Sequence, residues 1–375
     1  MQRWQGGIPL AAMLRGYKDI KPRALRQRFL DVLKRLKMFP TPEVRPAVNI
    51  LHQYNELLFK QHFDPVRNGF DVVENDDSPR IWDLVIVFEA ITAPQSLRVR
   101  GNRVVFISGE PPEIGNYTTA FLRQFDLVFC AGASSGSRVS GEQHFNNWHF
   151  GYSRDTGYRY EHDYIRNLPP PEKTQMLSTV TSNLNYLPMH IKRRALLDRL
   201  ARDYAGRIDI FGRPHRYVEY KEDAILPYRF HLCVENCSVP DLWTEKVADS
   251  ILSYAVPVYA GCQNIDDYFP NSTIAIDLDD YSRACRTIEN ILFEGESIYQ
   301  AMLPALTKAR KSLLDTYDIS ALVGTLLSQE SAQDARSVIV KPDAQFGLYR
   351  TRNMAGRVKR KINTIMWRQK VKNRG

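Results

Sequence analysis

Short apolar runs, many of them β-branched, alternate along this chain with segments of helical periodicity. Such runs are typical of strands that are buried on both faces, as in a parallel sheet. In the first part of the chain the predicted strands are 47–51, 81–88, 103–108 and 125–130, with predicted helices at 54–62 and 116–124. Because parallel strands need a crossover connection, the alternation predicts an α/β fold with parallel sheets.

A second block of the same kind follows residues 131–175, which are rich in Gly, Ser, Tyr and Pro. Its predicted strands are 177–181, 208–211, 230–234, 256–259 and 274–276, and its predicted helices are 192–204, 242–254, 280–292 and 298–317. A length of 375 residues suits two domains. We therefore expect α/β domains at 44–160 and 175–340, a linker at 161–174, an N-terminal extension at 1–43 and a tail at 341–375.

The positive charge of the chain is concentrated at its two ends. Residues 1–37 carry ten Lys and Arg against two Asp, and residues 344–375 carry ten with no acidic residue. The region between them has 31 bases and 40 acids. A nucleic-acid enzyme more often has a basic folded body, so we expect no nucleic-acid partner. Basic ends on an acidic body favour contact with an anionic membrane surface.

Both ends also contain helical patterns. Residues 21–37 are predicted to form an amphipathic helix, and residues 354–375 place apolar side chains at helical spacing among eight Lys and Arg. The alternative for the tail is a disordered basic segment. No apolar run approaches the roughly 20 residues of a membrane span. We therefore expect a cytoplasmic protein that is peripheral on the inner face of the cell membrane.

The five cysteines are an odd number in a long chain and have no metal-ligand spacing. This pattern predicts neither a disulfide framework nor a metal site, and it favours a reducing compartment.

The segment 230–270 carries the most chemical information. It reads as strand, loop, helix, strand and loop, with Glu235 and Asn236 just after the first strand and helix-start signals near Asp241. Lys246 in the first helical turn opposes the helix dipole by about 0.3–1 kcal/mol, which an anion such as phosphate would offset. Glu245 can accept two ribose hydroxyls. The alternative is an ordinary solvated helix start.

This segment resembles the donor-binding signature of the α-1,3-fucosyltransferases of glycosyltransferase family 10. That signature is roughly F-x-x-x-x-E-N-S, then D-Y-x-T-E-K, then a helix and P-V/I-x-x-G. The chain matches it at Phe230, Glu235, Asn236, Asp241, Thr244, Glu245, Lys246, Pro257, Val258 and Gly261. The match continues through Asn264, Asp267, Tyr268 and Pro270, as in bacterial members. The resemblance implies a GT-B fold, in which two Rossmann-like domains face a cleft, and GDP-fucose as donor.

The resemblance also implies roles for individual donor-site residues. Lys246 would contact a phosphate, Glu245 would hold the ribose, and Glu235 and Asn236 would belong to the same site. An arginine at a helix start that holds the diphosphate corresponds to Arg193, with Arg194 as its neighbour and rival. Ser182 and Asn183, which precede this helix, complete the predicted donor site.

The general base of the family is a glutamate that follows a strand of the first domain. Here the strand at 103–108 leads into Gly109 and Glu110, which makes Glu110 the predicted base and Glu113 the rival. The resemblance further implies that transfer inverts the configuration at the anomeric carbon. It implies that no cofactor or metal is required and that a divalent ion is at most stimulatory. The expected acceptor is a hydroxyl of a glycan, in α-1,3 or α-1,4 linkage, such as a surface polysaccharide or a lipopolysaccharide O-chain.

One position departs from the signature: its tyrosine is Leu242 here, followed by Trp243. Either Trp243 supplies the missing aromatic face, or the pocket is arranged differently. The departure keeps open a same-fold transferase that uses another nucleotide sugar. A non-enzymatic protein that binds polyanions through its basic ends is a further alternative, which the acidic body and the 235–246 signature oppose.

Overall fold

The computed structural model describes residues 45–54, 58–63, 65–110, 117–131, 139–142, 145, 147–212, 215–332 and 334–346. The chain divides into two compact units, Met1–Arg45 and Pro46–Gly375, and the described helices and strands belong to the second. The predicted helices at 21–37 and 354–375 and the rival base Glu113 lie outside the described residues. Across the described part of the chain, none of the helices combines the length and apolar character that crossing a bilayer requires.

Six parallel strands form the first sheet. They are β1 (Ala47–Leu51), β2 (Asp71–Glu74), β4 (Leu84–Phe88), β6 (Val104–Ser108), β7 (Leu127–Cys130) and β8 (Val139–Ser140). Their order across the sheet is β2-β1-β4-β6-β7-β8. The sequences of β4 and β6, LVIVF and VVFIS, are buried at every position, which explains why they lack the alternation of a one-sided sheet.

A smaller sheet packs beside the first. It contains β3 (Ile81–Trp82), β5 (Gln95–Arg100) and β16 (Ala335–Val340), and β16 is antiparallel to β5. The strand predicted at 81–88 is therefore two strands in two different sheets. Asp83 separates them and accepts a hydrogen bond from the backbone N–H of Ala47, at 2.8 Å.

The second parallel sheet contains β11 (Gln175–Val180), β12 (Asp209–Phe211), β13 (Tyr228–Val234), β14 (Val256–Ala260) and β15 (Ile274–Ala275). Its order is β12-β11-β13-β14-β15, and all its strands are parallel. β12 lies on one side of β11, whereas β13 and the later strands lie on the other, so the strand order reverses between β11 and β13. Ligands of such sheets bind beyond the carboxyl ends of the strands at this switch point. A short hairpin of β9 (Tyr152–Ser153) and β10 (Gly157–Tyr158) precedes this sheet.

The α-helices of the described residues are α1 (Pro65–Asn68), α2 (Thr119–Leu122), α3 (His162–Asn167), α4 (Pro188–Asp203), α5 (Glu245–Leu252), α6 (Ile265–Tyr268), α7 (Tyr281–Asp315) and α8 (Ile319–Ser328). The helix predicted at 54–62 is wrong, since the helical residues described there are the 3₁₀ turn Lys60–His62. The two helices predicted at 280–292 and 298–317 are one helix, α7, which continues through Pro304.

The start predicted near Asp241 for the helix of the donor segment is also wrong. α5 begins at Glu245 and is capped by Thr244, whose hydroxyl accepts a hydrogen bond from the backbone N–H of Lys246. Asp241 instead has a left-handed backbone, with φ of 60°. Its N–H donates to the side chain of Asn264 at 2.8 Å, which holds it in the preceding loop.

The packing divides the chain differently from the boundaries predicted at 160 and 340. Trp148 and Phe150 belong to the core of the second sheet, ahead of the predicted linker. α8 packs its apolar face against the first sheet, in one cluster with residues of β1, β4 and β6. β16 likewise pairs with β5. The chain therefore returns to the first sheet after α7, and the first domain is built from two separate stretches of sequence.

Candidate active site

A cavity of about 410 Å³ lies where residues from the carboxyl ends of the two parallel sheets meet. From the first sheet it takes Glu89, which follows β4, and Glu110, which follows β6. From the second sheet it takes the loop after β13 and the first residues of α5. The arrangement confirms the predicted GT-B fold, with two parallel α/β domains that meet at a cleft.

Glu235 lies at the end of β13 and fixes the start of α5. Its carboxylate accepts a 2.9 Å bond from the N–H of Thr244 and a 2.5 Å bond from the hydroxyl of the same residue. The side chain is 1% exposed, and Tyr259 donates to it at 3.4 Å. Glu235 thus orients the helix start from within the protein.

Gly261 of the signature is explained by its distance from this carboxylate. A Cβ on Gly261 would lie 2.3 Å from Cγ of Glu235 and 2.6 Å from the hydroxyl of Tyr259. A side chain at this position would therefore displace the group that holds Thr244.

Glu245 and Lys246 are brought together at the cleft end of α5, as the sequence indicated. Nζ of Lys246 lies 2.9 Å from Oε1 of Glu245 and 3.5 Å from Oε2 of Glu235. Burial opposes the charge on Lys246, but Glu245 and Glu235 outweigh it and raise the pKa of Lys246. Burial likewise opposes the charge on Glu245, yet Lys246, His149 and Lys221 hold the pKa of Glu245 well below its usual value. Both groups are therefore ionised at neutral pH.

Arg193 is buried in the second turn of α4, directly behind the switch point. Its guanidinium donates to the carbonyl of Val234 at 3.2 Å and to Oδ1 of Asn236 at 3.4 Å, and it lies 3.5 Å from Oγ of Ser182. Burial lowers the pKa of Arg193, which Glu235 and Glu245 partly offset. Its neighbour Arg194 is exposed and lies near Asp198 on the helix surface.

The structure brings Arg193, Ser182 and Asn236 together, and His190 also contacts Oδ1 of Asn236 at 2.8 Å. Asn183 is exposed on the loop after β11. This loop contributes Leu184 and Tyr186 to the described lining of the cavity.

Glu110 is half-buried at the cavity, on the opposite side from α5. Burial and the negative charge of Glu245 raise the pKa of Glu110, and Lys246 opposes the shift. A glutamate in this state is a better proton acceptor near neutral pH than an exposed one. The role of general base that the resemblance implies for Glu110 stays a prediction.

Trp243 does not supply an aromatic face to the cavity, and that part of the prediction is wrong. Its side chain is fully buried and packs edge-on against Phe269 and Tyr317, at centroid distances of 5.1 and 5.8 Å. Leu242 itself lines the cavity. The aromatic residues of the described lining are different ones, namely Tyr54, Phe88, Trp148, His149, Tyr152, Tyr158 and Tyr186.

Glu89 and Tyr54 are site residues that the sequence did not reveal. Glu89 accepts a short hydrogen bond from the hydroxyl of Tyr54. Burial raises the pKa of Glu89 to about 7, with Glu110 and Glu245 adding to the shift and Tyr54 opposing it. A signal existed, since Glu89 follows a buried strand just as Glu110 does.

No group of three or more His, Cys, Asp or Glu side chains in the described ranges is arranged to hold a metal ion. The five cysteines, all within the described residues, form no disulfide bond with one another.

A family model described as glycosyltransferase family 10 (fucosyltransferase) C-term matches residues 170–296. Alpha-(1,3)-fucosyltransferase B of Drosophila melanogaster is 26% identical over 113 residues, which are 30% of this chain and 24% of that protein. A putative fucosyltransferase-like protein of Arabidopsis thaliana is 38% identical over 69 residues, which are 18% of this chain and 14% of that protein. The chain therefore matches about a quarter or less of the length of these curated relatives.

Among solved structures, a crystal structure of α1,3-fucosyltransferase with GDP-fucose is similar with a TM-score of 0.44 and 17% identity. The similarity covers 77% of this chain and 93% of that chain. The stretch matched by the family model contains the second sheet and the helix start with Glu245 and Lys246. This stretch of the chain is therefore similar to the C-terminal domain of glycosyltransferase family 10.

Proposed function

We propose that the chain transfers L-fucose from GDP-fucose to a hydroxyl of a glycan, with inversion at the anomeric carbon. The observation that carries the proposal is the opposition of two charged groups across one cavity. Glu110, with a raised pKa, lies on one side, and the ionised Glu245–Lys246 start of α5 lies on the other. The match of residues 170–296 to the family model and the names of the relatives support fucose as the sugar.

The donor binds to the second domain in this proposal. The N-terminus of α5 and Nζ of Lys246 attract the diphosphate, because a helix dipole and an ammonium both favour an anion there. The guanidinium of Arg193, which contacts Asn236 and lies beside Ser182, adds positive charge that attracts the diphosphate. Glu245 accepts hydrogen bonds from the ribose hydroxyls.

The reaction is a direct displacement. Glu110 takes the proton of the acceptor hydroxyl, and that oxygen forms a bond to the anomeric carbon. The bond from the anomeric carbon to the diphosphate oxygen breaks on the opposite face, and its electron pair leaves with GDP. Lys246 and the helix N-terminus stabilise the charge that develops on the diphosphate. The proton remains on Glu110 until it exchanges with solvent.

A second candidate keeps the same reaction and changes the sugar. Leu242 lines the cavity where the family signature has a tyrosine, so one phenol is replaced by an apolar surface. Hydrolysis of GDP-fucose, GDP-mannose and UDP-sugars by the full chain separates the candidates. The proposal expects GDP-fucose to be hydrolysed fastest, and a preference for any other donor contradicts it.

The location and the acceptor are proposed from the charge pattern alone. We propose that the basic ends hold the enzyme at an anionic membrane surface, where it modifies a surface polysaccharide such as a lipopolysaccharide O-chain. Co-sedimentation with anionic vesicles, compared between the full chain and one without residues 347–375, tests the role of the tail. Undiminished sedimentation of the shortened chain contradicts that role.

A further inference from the structure

Glu89 has a backbone conformation that glutamate rarely adopts. Its φ is 61°, in the left-handed region, and the N–H of Ala90 donates to the carbonyl of Phe88 at 2.7 Å across it. Such a tight turn costs a residue with a side chain on the order of 1–3 kcal/mol, and glycine would adopt it without strain. Strained residues of this kind concentrate at functional sites.

Burial of the Glu89 carboxyl is also energetically unfavourable. The residue is only 8% exposed, and no Lys or Arg in the described ranges forms an ion pair with it. A buried carboxyl without a cationic partner is unfavourable, because burial removes the water that would solvate its charge. A purely structural residue at this position would not need the carboxyl.

Its two oxygens have different surroundings. Oε2 accepts the hydrogen bond from Tyr54, while Oε1 lies beside Gly109, where a Cβ would come within 3.0 Å of it. Gly109 is the residue before Glu110. β4 and β6 are neighbouring strands, with Phe88 opposite Ile107, and paired strands lie about 4.8 Å apart. Glu89 and Glu110 therefore follow adjacent strand ends, and both line the cavity.

We propose that Glu89 binds the acceptor sugar, through a hydrogen bond from the substituent next to the hydroxyl that Glu110 deprotonates. The chemical class of acceptor is then a pyranose with a hydroxyl or acetamido N–H on that neighbouring carbon. Tyr54 holds the carboxyl in place from the protein side. The inference rests on the proposed function, because it assigns the acceptor half of the same cleft.

The groups that face Glu89 make its charge state sensitive to pH. They are Tyr54 after β1, Glu110 and Tyr117 on the β6 side, and Glu245 across the cleft. With a pKa of about 7, Glu89 becomes ionised as the pH rises through neutrality. A carboxylate accepts a stronger hydrogen bond than a neutral acid, so acceptor affinity is expected to increase over that interval.

The test measures transfer from GDP-fucose to the methyl glycosides of N-acetylglucosamine, glucose and galactose. The best of these is then compared with its deoxy analogue, which lacks the neighbouring substituent. Glu89→Gln is expected to raise the KM for the parent acceptor about tenfold, the effect of losing one hydrogen bond to a charged group. Hydrolysis of GDP-fucose, in which water is the acceptor, should fall far less.

A double-mutant cycle that combines Glu89→Gln with the deoxy acceptor tests whether Glu89 contacts the missing substituent. If Glu89 binds the missing substituent, Glu89→Gln and the deoxy acceptor together lose no more than either does alone. Losses that multiply, or a KM and pH dependence that Glu89→Gln leaves unchanged, overturn the inference. A wild-type chain that neither hydrolyses nor transfers GDP-fucose refutes the proposed function instead.

Glu89→Gly separates binding from folding. Glycine relieves the left-handed strain, so this variant is expected to keep its thermal midpoint while losing the same acceptor affinity. Asn271→Gly is the matched control, because Asn271 is an exposed left-handed residue with φ of 55° outside the cavity lining. It should change neither quantity. Loss of folding in Glu89→Gly with normal acceptor KM in Glu89→Gln would assign Glu89 a structural role.

Discussion

The two sides of the cleft use the same residue type in opposite ways. On the side of the second sheet, Glu245 is held beside Lys246, and its pKa lies well below the ordinary value. On the side of the first sheet, Glu89 is buried and Glu110 is half-buried, neither forms an ion pair with a Lys or Arg of the described residues, and their pKa values are raised. Burial acts on all three glutamates, and the neighbouring lysine decides the outcome.

This difference suits the two sides of the cleft to different roles, namely binding on the side of the second sheet and proton transfer on the side of the first. A carboxylate with a fixed charge and fixed hydrogen bonds suits binding, because its geometry does not depend on proton transfer. A carboxyl whose pKa is raised above its ordinary value suits general base catalysis, because it holds a transferred proton more readily than an ordinary carboxyl does. Substitutions on each side of the cleft test this assignment of roles.

The largest effect is expected from Glu110→Gln. Glutamine keeps the size of the side chain but cannot accept a proton, so transfer should fall about 10²–10⁴-fold while GDP affinity stays nearly unchanged. Steady-state kinetics and calorimetric titration with GDP measure the two quantities. Glu113→Gln, at the rival position, is the control and should remain active. Full activity of Glu110→Gln would remove Glu110 as the base.

A smaller effect, on binding, is expected from Lys246→Ala. The change would remove the proposed charge-assisted contact to the diphosphate, and it takes Nζ of Lys246 away from Glu245 and Glu235, so GDP affinity should fall about 10–100-fold. Lys192→Ala is the matched control, because Lys192 pairs with Asp279 on the surface of α4. Calorimetric titration that finds equal GDP affinity in the Lys246 variant and the wild type contradicts the phosphate role.

The donor side could be predicted from sequence because its geometry is local. Glu235, Glu245 and Lys246 lie within a dozen residues, and one strand, one loop and one helix start determine where they meet. Glu110 was predicted from the resemblance, which places the family's base just after a strand of the first domain, at the end of the strand where ligands of parallel sheets bind. The same rule applied to Glu89, but its importance depends on Tyr54 and on the pairing of β4 with β6, which join distant segments.

Other errors have the same origin. Trp243 is buried by Phe269 and Tyr317, which local sequence does not place beside it. β16 pairs with β5 across more than 200 residues, so its membership in the first domain has no local signal. The start of α5 was predicted three residues early, because the contact between Asp241 and Asn264 likewise joins separated residues.

An effect on stability is expected from Gly261→Ala. The new methyl group would lie 2.3 Å from Cγ of Glu235, so the side chain that holds Thr244 must move. Overpacking of this kind lowers the free energy of unfolding by about 1–3 kcal/mol, and GDP affinity should fall with it. Chemical denaturation measures the first quantity.

Gly324→Ala is the matched control for this variant. Gly324 lies inside α8, and a Cβ there would meet no atom within 4 Å. Alanine should therefore raise the free energy of unfolding, by about 0.5–1 kcal/mol, and leave GDP affinity unchanged. A Gly261→Ala variant as stable as the wild type would show that Glu235 is not held where the structure places it.

The smallest effect, and the one that connects the two sides, is a shift in pH dependence. A base acts only when ionised, so kcat/KM for GDP-fucose hydrolysis should rise with pH through the raised pKa of Glu110. After burial, Glu245 raises that pKa and Lys246 lowers it. Glu245→Gln should therefore move the acid limb of the profile to lower pH, and Lys246→Ala should move it to higher pH.

Glu296→Gln is the control for this shift, because Glu296 pairs with Arg229 on the exposed surface of α7. Its profile should coincide with that of the wild type. Opposite shifts in the two cleft variants would show that the fixed charges of the donor side set the proton affinity of the base. Identical limbs in all four proteins would mean that burial alone raises the pKa of Glu110, and the two sides of the cleft would then act independently.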